Sequence, residues 1–176
     1  MSSDASWLRA HLRDVADFPR PGIAFKDITP LLADVEAFRF TVDAIADAWD
    51  GAGVDAVAGI EARGFLLAAP VAYRLGASLI PIRKPGKLPW EVVEEAYELE
   101  YGVDAVQAHR DAAATGDRVL LVDDVLATGG TASAACTLLE GLGAHVIGVH
   151  VLLELGFLSG RARLGKRDVR SLLVEA

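Results

Sequence analysis

Cysteine occurs once in this chain, at position 136. A single thiol can form neither an intramolecular disulfide nor a cysteine-based metal site, and its rarity suits a reducing compartment. Cys136 stands in an apolar, Ala-rich stretch and is read as a packing residue. Positive charge is scarce too: 17 Lys and Arg against 25 Asp and Glu leave a formal net charge of -8. That balance argues against a nucleic-acid or anionic-membrane surface, so any anion site must be built locally. No uncharged run reaches membrane-spanning length, and Met1–Ser6 lacks the basic and apolar regions of a secretion signal. The expectation is a cytoplasmic protein with no membrane and no nucleic-acid partner. Two glycine fingerprints are also missing. There is no Gly-x-Gly-x-x-Gly after a strand, which removes the support for a dinucleotide-binding oxidoreductase. The glycine loop at Gly129-Gly130 lacks the Lys of the triphosphatase phosphate loop.

What is present is a globular composition, 52% hydrophobic and 24% charged over 176 residues, with no internal repeat. One domain is the expectation. Ser6–Asp17 reads as a helix capped by Ser6, with Leu8, His11, Leu12 and Val15 on one face. Prolines 19 and 21 and Gly22 end it, and Ile23–Pro30 reads as extended. By pattern alone, Phe25 in that segment is a core residue. Asp34–Trp49 is a helix whose stripe of Phe38, Val42, Ile45 and Trp49 faces a sheet, making Trp49 structural. Val54–Ile60 is a strand, and the following Glu61-Ala62-Arg63-Gly64 turn opens a helix running to about Leu75. Ser78–Arg83 is the next strand and discharges into a compact basic loop carrying Arg83, Lys84 and Lys87. Glu91–Gly102 fits neither clean helix nor clean strand; with the basic loop it forms a charged excursion over residues 84–102, where a lid would sit. Ala105–Ala113 is a short segment whose His109 lacks partner spacing for a metal.

The organising stretch is Val119–Thr131. Val119–Val122 fits a strand buried on both faces, Asp123 and Asp124 follow where it should end, and Thr128, Gly129, Gly130 and Thr131 open a helix running to Leu142. Consecutive amides at a helix start, with glycines that let the backbone approach closely, form an anion cradle. Beside a phosphate, two acids would repel the ligand unless they face ribose hydroxyls or a divalent cation. Val146–Leu153 is a further strand, and Ser171–Val174 adds an edge. Strand and helix alternate from residue 54, which predicts a parallel sheet with helices on both faces. Arg63 and the basic loop then share the carboxyl edge of that sheet, the ligand-binding edge of open α/β folds. A surface pair of Arg63 with Glu61 is the competing reading.

Phe18–Thr29, Glu61–Phe65, Arg83–Pro89, Leu99–Gly102, Val119–Thr131 and Glu154-Leu155 together resemble the adenine branch of the type I phosphoribosyltransferases, over nearly the whole chain. The resemblance implies that family's fold, a central parallel twisted sheet flanked by helices, with residues 1–33 as a small N-terminal hood. It implies transfer of 5-phosphoribose from 5-phosphoribosyl 1-diphosphate to adenine, with Mg²⁺, in a homodimer whose basic loop reaches the neighbouring site. Ala127, Thr128, Gly129, Gly130 and Thr131 then hold the 5-phosphate, Asp123 and Asp124 the ribose hydroxyls, and Arg63, Arg83, Lys84 and Lys87 the diphosphate. Phe25 stacks on the base, backbone at Ala24 and Lys26 reads its edge, and Leu155 covers the other side. Glu100 handles the purine proton, with Tyr101 beside it. Mg²⁺ has no dedicated protein ligands; it is held mainly by diphosphate and ribose, near Asp123 and Asp124. The family also implies a non-proline cis peptide near Glu61-Ala62. Lys26 stands where the family often has Arg. Other purines as acceptor, or a non-catalytic sensor of the sugar diphosphate, remain competing readings.

Overall fold

The computed structural model describes residues 4–99 and 102–176. In chain order its elements are β1 (Arg13–Val15), β2 (Phe25–Asp27), α1 (Thr29–Ala33), α2 (Val35–Ala48), β3 (Ala56–Ile60), α3 (Arg63–Leu75) and β4 (Ser78–Ile82). Then come β5 (Val92–Leu99), β6 (Gly102–His109), β7 (Arg118–Leu126), α4 (Gly130–Gly141), β8 (His145–Leu155) and β9 (Val169–Glu175), with short 3-10 turns elsewhere. A five-stranded sheet has the order β4-β3-β7-β8-β9, and all its pairings are parallel. The expected α/β architecture is present.

Every residue of β3 is buried, because both faces of the sheet are covered. Ala56, Ala58, Ile60, Leu121 and Val119 point into a core shared with α4 residues such as Ala135 and Leu139. Val57, Leu120, Val122 and Leu152 point the other way, against Ile45 of α2 and Leu67 and Val71 of α3. Glycine at position 59 is a packing requirement, since a Cβ there would lie 2.6 Å from the Ala68 Cβ of α3. Trp49 is structural as expected. Its ring lies on Gly148 of β8, where a Cβ would come within 2.0 Å of the indole. Its Nε1 donates to His150 Nδ1 at 3.0 Å, and the Arg170 guanidinium covers the ring at 4.0 Å. Cys136 is fully buried, and burial pushes its thiol up to about 12.

His150 provides a pH test of this core. Burial, helped by Arg170, pushes its pKa down to about 4 from 6.5, and its buried Nε2 has no hydrogen-bond partner. Between those two values the unfolded chain takes up a proton that the folded one refuses. Stability is therefore complete above pH 6.5 and falls as pH drops towards 4. Urea titrations at pH 7 and 4.5 should show an acid loss smaller by about 2–3 kcal/mol in His150→Gln, which keeps an acceptor for Trp49. Equal losses in both proteins would clear His150 of this role.

Several boundaries differ from expectation. The first helix is a 3-10 turn, Ser6–His11, whose N-cap is Ala5 rather than Ser6. The chain then pairs as β1 with β2, placing Asp14 opposite Lys26; that cross-strand pairing overrides the helical spacing. The extended reading of Ile23–Pro30 holds only for β2, because Thr29 already starts α1. Strand β7 continues through both acids to Leu126, paired with β8 up to Glu154. The charged excursion contains the antiparallel pair β5-β6, to which the Ala105–His109 part of the next segment also belongs. Its glutamates obscured the strand pattern, yet Glu94 faces Gln107 in register and accepts from its Nε2 at 2.6 Å. Glu100, assigned above to the purine proton, and the neighbouring Tyr101 lie outside the described residues.

Candidate active site

Because the sheet is parallel, the ends of β3, β4, β7 and β8 all open on one edge. A cavity of about 860 Å³ lies there, within the range that holds a small-molecule ligand. Its walls come from the β2 segment (Gly22–Lys26), the β3–α3 turn (Ile60–Arg63), Lys84, the β7–α4 connection (Asp123–Ala132), and Leu155, Phe157 and Leu158.

The floor is the loop Ala127–Thr131. Gly129 is left-handed, with φ 81, and forms the N-cap of α4 without a side-chain cap. The first amides of that helix have no intrahelical acceptor by geometry, so they and the positive helix end face the cavity. The loop is buttressed from behind. A Cβ on Gly129 would meet the Gly160 carbonyl oxygen at 2.3 Å, and one on Gly160 would meet the Ala127 carbonyl at 2.1 Å. Gly160 begins the 3-10 segment Gly160–Leu164. Arg161 ties that segment to the sheet through Glu154, donating from Nε at 3.0 Å. Glu154 is buried, and its hydrogen bond from Arg161 holds its pKa down against desolvation.

Beside this floor stand the two acids. Asp124 is nearly buried, and its Oδ2 lies 2.6 Å from Arg63 Nε. The same oxygen is sealed from solvent and accepts no aligned hydrogen bond, so the ion pair with Arg63 is what compensates its burial. Burial raises the Asp124 pKa, with Arg63 opposing the rise. Burial and then the neighbouring Asp124 charge push Asp123 well above the usual carboxylate range. Asp123 Oδ1 accepts from the Asp124 amide at 2.9 Å. It is this close only because residue 64 is glycine: a Cβ there would lie 2.7 Å from Asp123 Oδ1.

Arg63 thus pairs with Asp124, across the sheet edge, and not with Glu61. The Glu61 carboxylate instead organises the basic loop. It accepts from Arg83 Nε at 3.3 Å, Arg83 Nη2 at 3.2 Å and the Lys84 amide at 2.8 Å. The Arg83 hydrogen bond, then the Lys84 amide, hold the Glu61 pKa down. Lys84 lines the cavity, whereas Arg83 and Lys87 are absent from its wall; they are the predicted anion-site residues that this chain does not bring together with the rest. The Glu61-Ala62 peptide is cis, as the resemblance implied.

At the other end the wall is apolar. Phe25 is half-buried, with Phe18 edge-on at a centroid distance of 5.0 Å and the Arg63 guanidinium 4.5 Å from its ring centre. It is neither a plain core residue nor a free one. Ala24 lines the same wall, and Leu155, at the end of β8, faces it. Lys26 turns its side chain away. Its Nζ bridges Asp14 at 2.6 Å and Glu175 at 2.7 Å, pinning the β2 segment to β9. Sequence reasoning missed Phe157 and Leu158, which complete the apolar wall; their signal was two large apolar residues in a turn at the carboxyl edge. It also missed Gly64, Gly160 and Tyr97, whose roles depend on contacts distant in sequence.

A phosphoribosyl transferase domain profile matches residues 28–171. The adenine phosphoribosyltransferase of Parafrankia sp. (strain EAN1pec) is 60% identical over 98% of this chain and 94% of its own length. The crystal structure of adenine phosphoribosyltransferase from Thermoanaerobacter pseudethanolicus superposes with a TM-score of 0.95 at 48% identity, covering 97% of this chain and 99% of that one. The Saccharomyces cerevisiae enzyme, solved with an imino-altritol bisphosphate and adenine, gives 0.91 at 37% identity, covering 98% and 99%. With the anion cradle, the acid pair and the apolar slot on one sheet edge, the chain belongs to the type I phosphoribosyltransferases, in the adenine phosphoribosyltransferase family.

Proposed function

We propose that the protein transfers 5-phosphoribose from 5-phosphoribosyl 1-diphosphate to N9 of adenine, giving AMP and diphosphate. The observation that carries this reading is the union, in one cavity, of an amide-rich helix start, two adjacent carboxylates and an apolar slot. These suit a 5-phosphate, ribose hydroxyls and a purine, in an order that matches the substrate pair from end to end.

In the reaction the C1–oxygen bond to diphosphate breaks, the C1–N9 bond forms, and the purine proton leaves. The anomeric carbon carries a ring oxygen that can share positive charge, so bond breaking runs ahead of bond making. The chain's task is then mostly to position the two reactants and to stabilise the departing charge. The loop Ala127–Thr131 fixes the 5-phosphate, Asp123 and Asp124 orient the ribose, and Arg63 and Lys84 face the diphosphate. Phe25, Leu155, Phe157 and Leu158 form the slot for the base, with the backbone at Ala24 and Lys26 at its edge. Glu100 takes the purine proton and Tyr101 closes the site over it, roles carried by the family resemblance alone. The residues present suit Mg²⁺ in that Asp123 and Asp124 are hard oxygen donors lining the cavity beside the ribose position, though among the described residues no cluster of three metal-binding side chains occurs. When bound there with the substrate, Mg²⁺ supplies charge neutralisation for the diphosphate.

Arg83 and Lys87 stand off the wall of their own cavity, which supports a homodimer in which the basic loop serves the partner's site. The hairpin β5-β6 is the lid in this reading, and residues 1–33 the hood. Among the described residues no helix is long and apolar enough to cross a membrane; with the lone reduced cysteine, this accords with a cytoplasmic enzyme.

The test is product formation from phosphoribosyl diphosphate and Mg²⁺ with adenine, guanine, hypoxanthine and xanthine in turn. AMP formation without comparable turnover of the others is expected. Preference for another purine would reassign the slot, and inactivity with every base would leave a sensor of the sugar diphosphate. A second measurement isolates the base end. Glu175→Gln removes one anchor of Lys26 and loosens β2 against β9, and should raise the KM for adenine by about 3- to 10-fold. The KM for phosphoribosyl diphosphate should hold; an equal rise in both would deny that the Lys26 bridge serves the base alone.

A further inference from the structure

The hairpin sets one side chain against both halves of the anion-binding wall. Tyr97, on β5, accepts at its hydroxyl from Lys84 Nζ at 2.7 Å and from Thr131 Oγ1 at 3.0 Å. The same hydroxyl donates to Asp104 Oδ2 at 2.9 Å. Asp104 faces Tyr97 in the hairpin register, and its Oδ2 also receives the Lys84 ammonium. Its other oxygen accepts from the Ala105 amide at 2.8 Å, which fixes the carboxylate. One donor and two lone pairs exhaust a phenol oxygen, so the Tyr97 hydroxyl is fully used. The ring closes on the cradle as well: a Cβ at Gly130 would lie 3.3 Å from Tyr97 Cδ2. A hydroxyl of the 5-phosphate loop and an ammonium of the basic loop are thereby joined through the hairpin.

We propose that Tyr97 and Asp104 are positioning residues for the sugar diphosphate: together they hold the Lys84 ammonium with one proton left for the diphosphate, and by taking the Thr131 hydroxyl proton Tyr97 pins the cradle whose amides face the 5-phosphate. This rests on the reading of the cavity as the phosphoribosyl-diphosphate site. The opposite role, an acid that holds Lys84 away from the substrate, is the weaker account. Lys84 lines the cavity while paired, and its ion pair is about one-third exposed on both sides, 35% and 31%. A pair so exposed is weak against a diphosphate. Neither side chain is needed to complete the main sheet, so a change at either acts on the wall of the site.

The two phosphate ends can be told apart with two ligands. Titration calorimetry of the full chain with phosphoribosyl diphosphate and Mg²⁺, and separately with AMP, compares wild type, Tyr97→Phe, Asp104→Asn and the double variant. AMP carries the 5-phosphate but no diphosphate. Asp104→Asn should weaken phosphoribosyl diphosphate about 5- to 10-fold and leave AMP within twofold, while Tyr97→Phe should weaken both. The double variant should lose less than the product of the single effects, because the two groups act as a unit. Tighter binding of the sugar diphosphate by Asp104→Asn would establish the opposite role, and unchanged binding in both variants would remove the positioning role. Equal loss of both ligands in Asp104→Asn, with a lowered melting temperature, would reduce the network to scaffolding. Wild type that binds neither ligand would instead overturn the assignment of the cavity.

Discussion

Gly129→Ala should lower kcat/KM for phosphoribosyl diphosphate by about 100-fold or more, with the protein still folded. Two costs coincide at this position. The backbone is left-handed, φ 81, which an L side chain adopts at about 1–2 kcal/mol. The new methyl would also point at the Gly160 carbonyl from 2.3 Å. That carbonyl cannot retreat freely, because residue 160 is itself pressed on the Ala127 backbone and the Arg161–Glu154 contacts anchor the segment. The loop must shift instead, and a displacement of about 1 Å among positioning groups can cost roughly 100-fold in rate. Steady-state kinetics beside a thermal melt decides the matter. Gly141→Ala is the control, since Gly141 lies in α4 with nothing within 4 Å of a Cβ. Near-normal kinetics in Gly129→Ala would show that the cradle can relax and that Gly160 is no buttress.

Arg63→Ala should raise the KM for phosphoribosyl diphosphate by about 30- to 100-fold, because the charged contact proposed for the diphosphate would be lost in a partly enclosed site. Two further consequences set this variant apart from loss of a distant surface charge. Asp124 would keep its burial and lose the cation that opposes the resulting pKa rise. Its carboxylate would then protonate at higher pH, so the acid limb of the pH–rate profile should move upward. Folding stability should also fall, on the order of 1–3 kcal/mol and nearer the lower figure, since Arg63 is 37% exposed while Asp124 is 6% exposed. Profiles of kcat/KM between pH 5 and 8 for both proteins give the readout. An unmoved acid limb would mean that Asp124 ionisation does not depend on Arg63, and an unmoved KM would return Arg63 to a structural pair.

Much of the framework was legible because local pattern and burial agree. Val119–Val122 read as a two-faced strand since β7 lies between β3 and β8 in the sheet. Phe38, Val42 and Ile45 marked the inner face of α2, with Trp49 capping its end, because all four pack into the core on that face of the sheet. Legibility failed where a partner distant in sequence decides the outcome. Asp123 and Asp124 looked like a strand end, but β8 carries the ladder past them. Leu8 to Val15 had helical spacing, but β2 recruits the second half as β1. The glutamate-rich excursion hid a hairpin whose polar residues pair with one another across its register. At the site, the residue types proposed to face phosphate were visible from their order along the chain. The pairing of Arg63 with Asp124, the Gly129–Gly160 contact and the Tyr97 network were not, because each joins segments that only the folded sheet brings together.

The lone thiol has a practical consequence. Cys136 is sealed in the core, and burial keeps it protonated at neutral pH, so maleimide chemistry should pass it by without a cysteine-free background. A single cysteine introduced at an exposed position can therefore carry a reporter dye or spin label alone. Tyr73 on α3, 87% exposed, and Val103 on the hairpin, 72% exposed, are suitable places. Labelled as a pair, they would turn the proposed approach of hairpin to sheet during turnover into a distance whose change, or constancy, can be followed in real time.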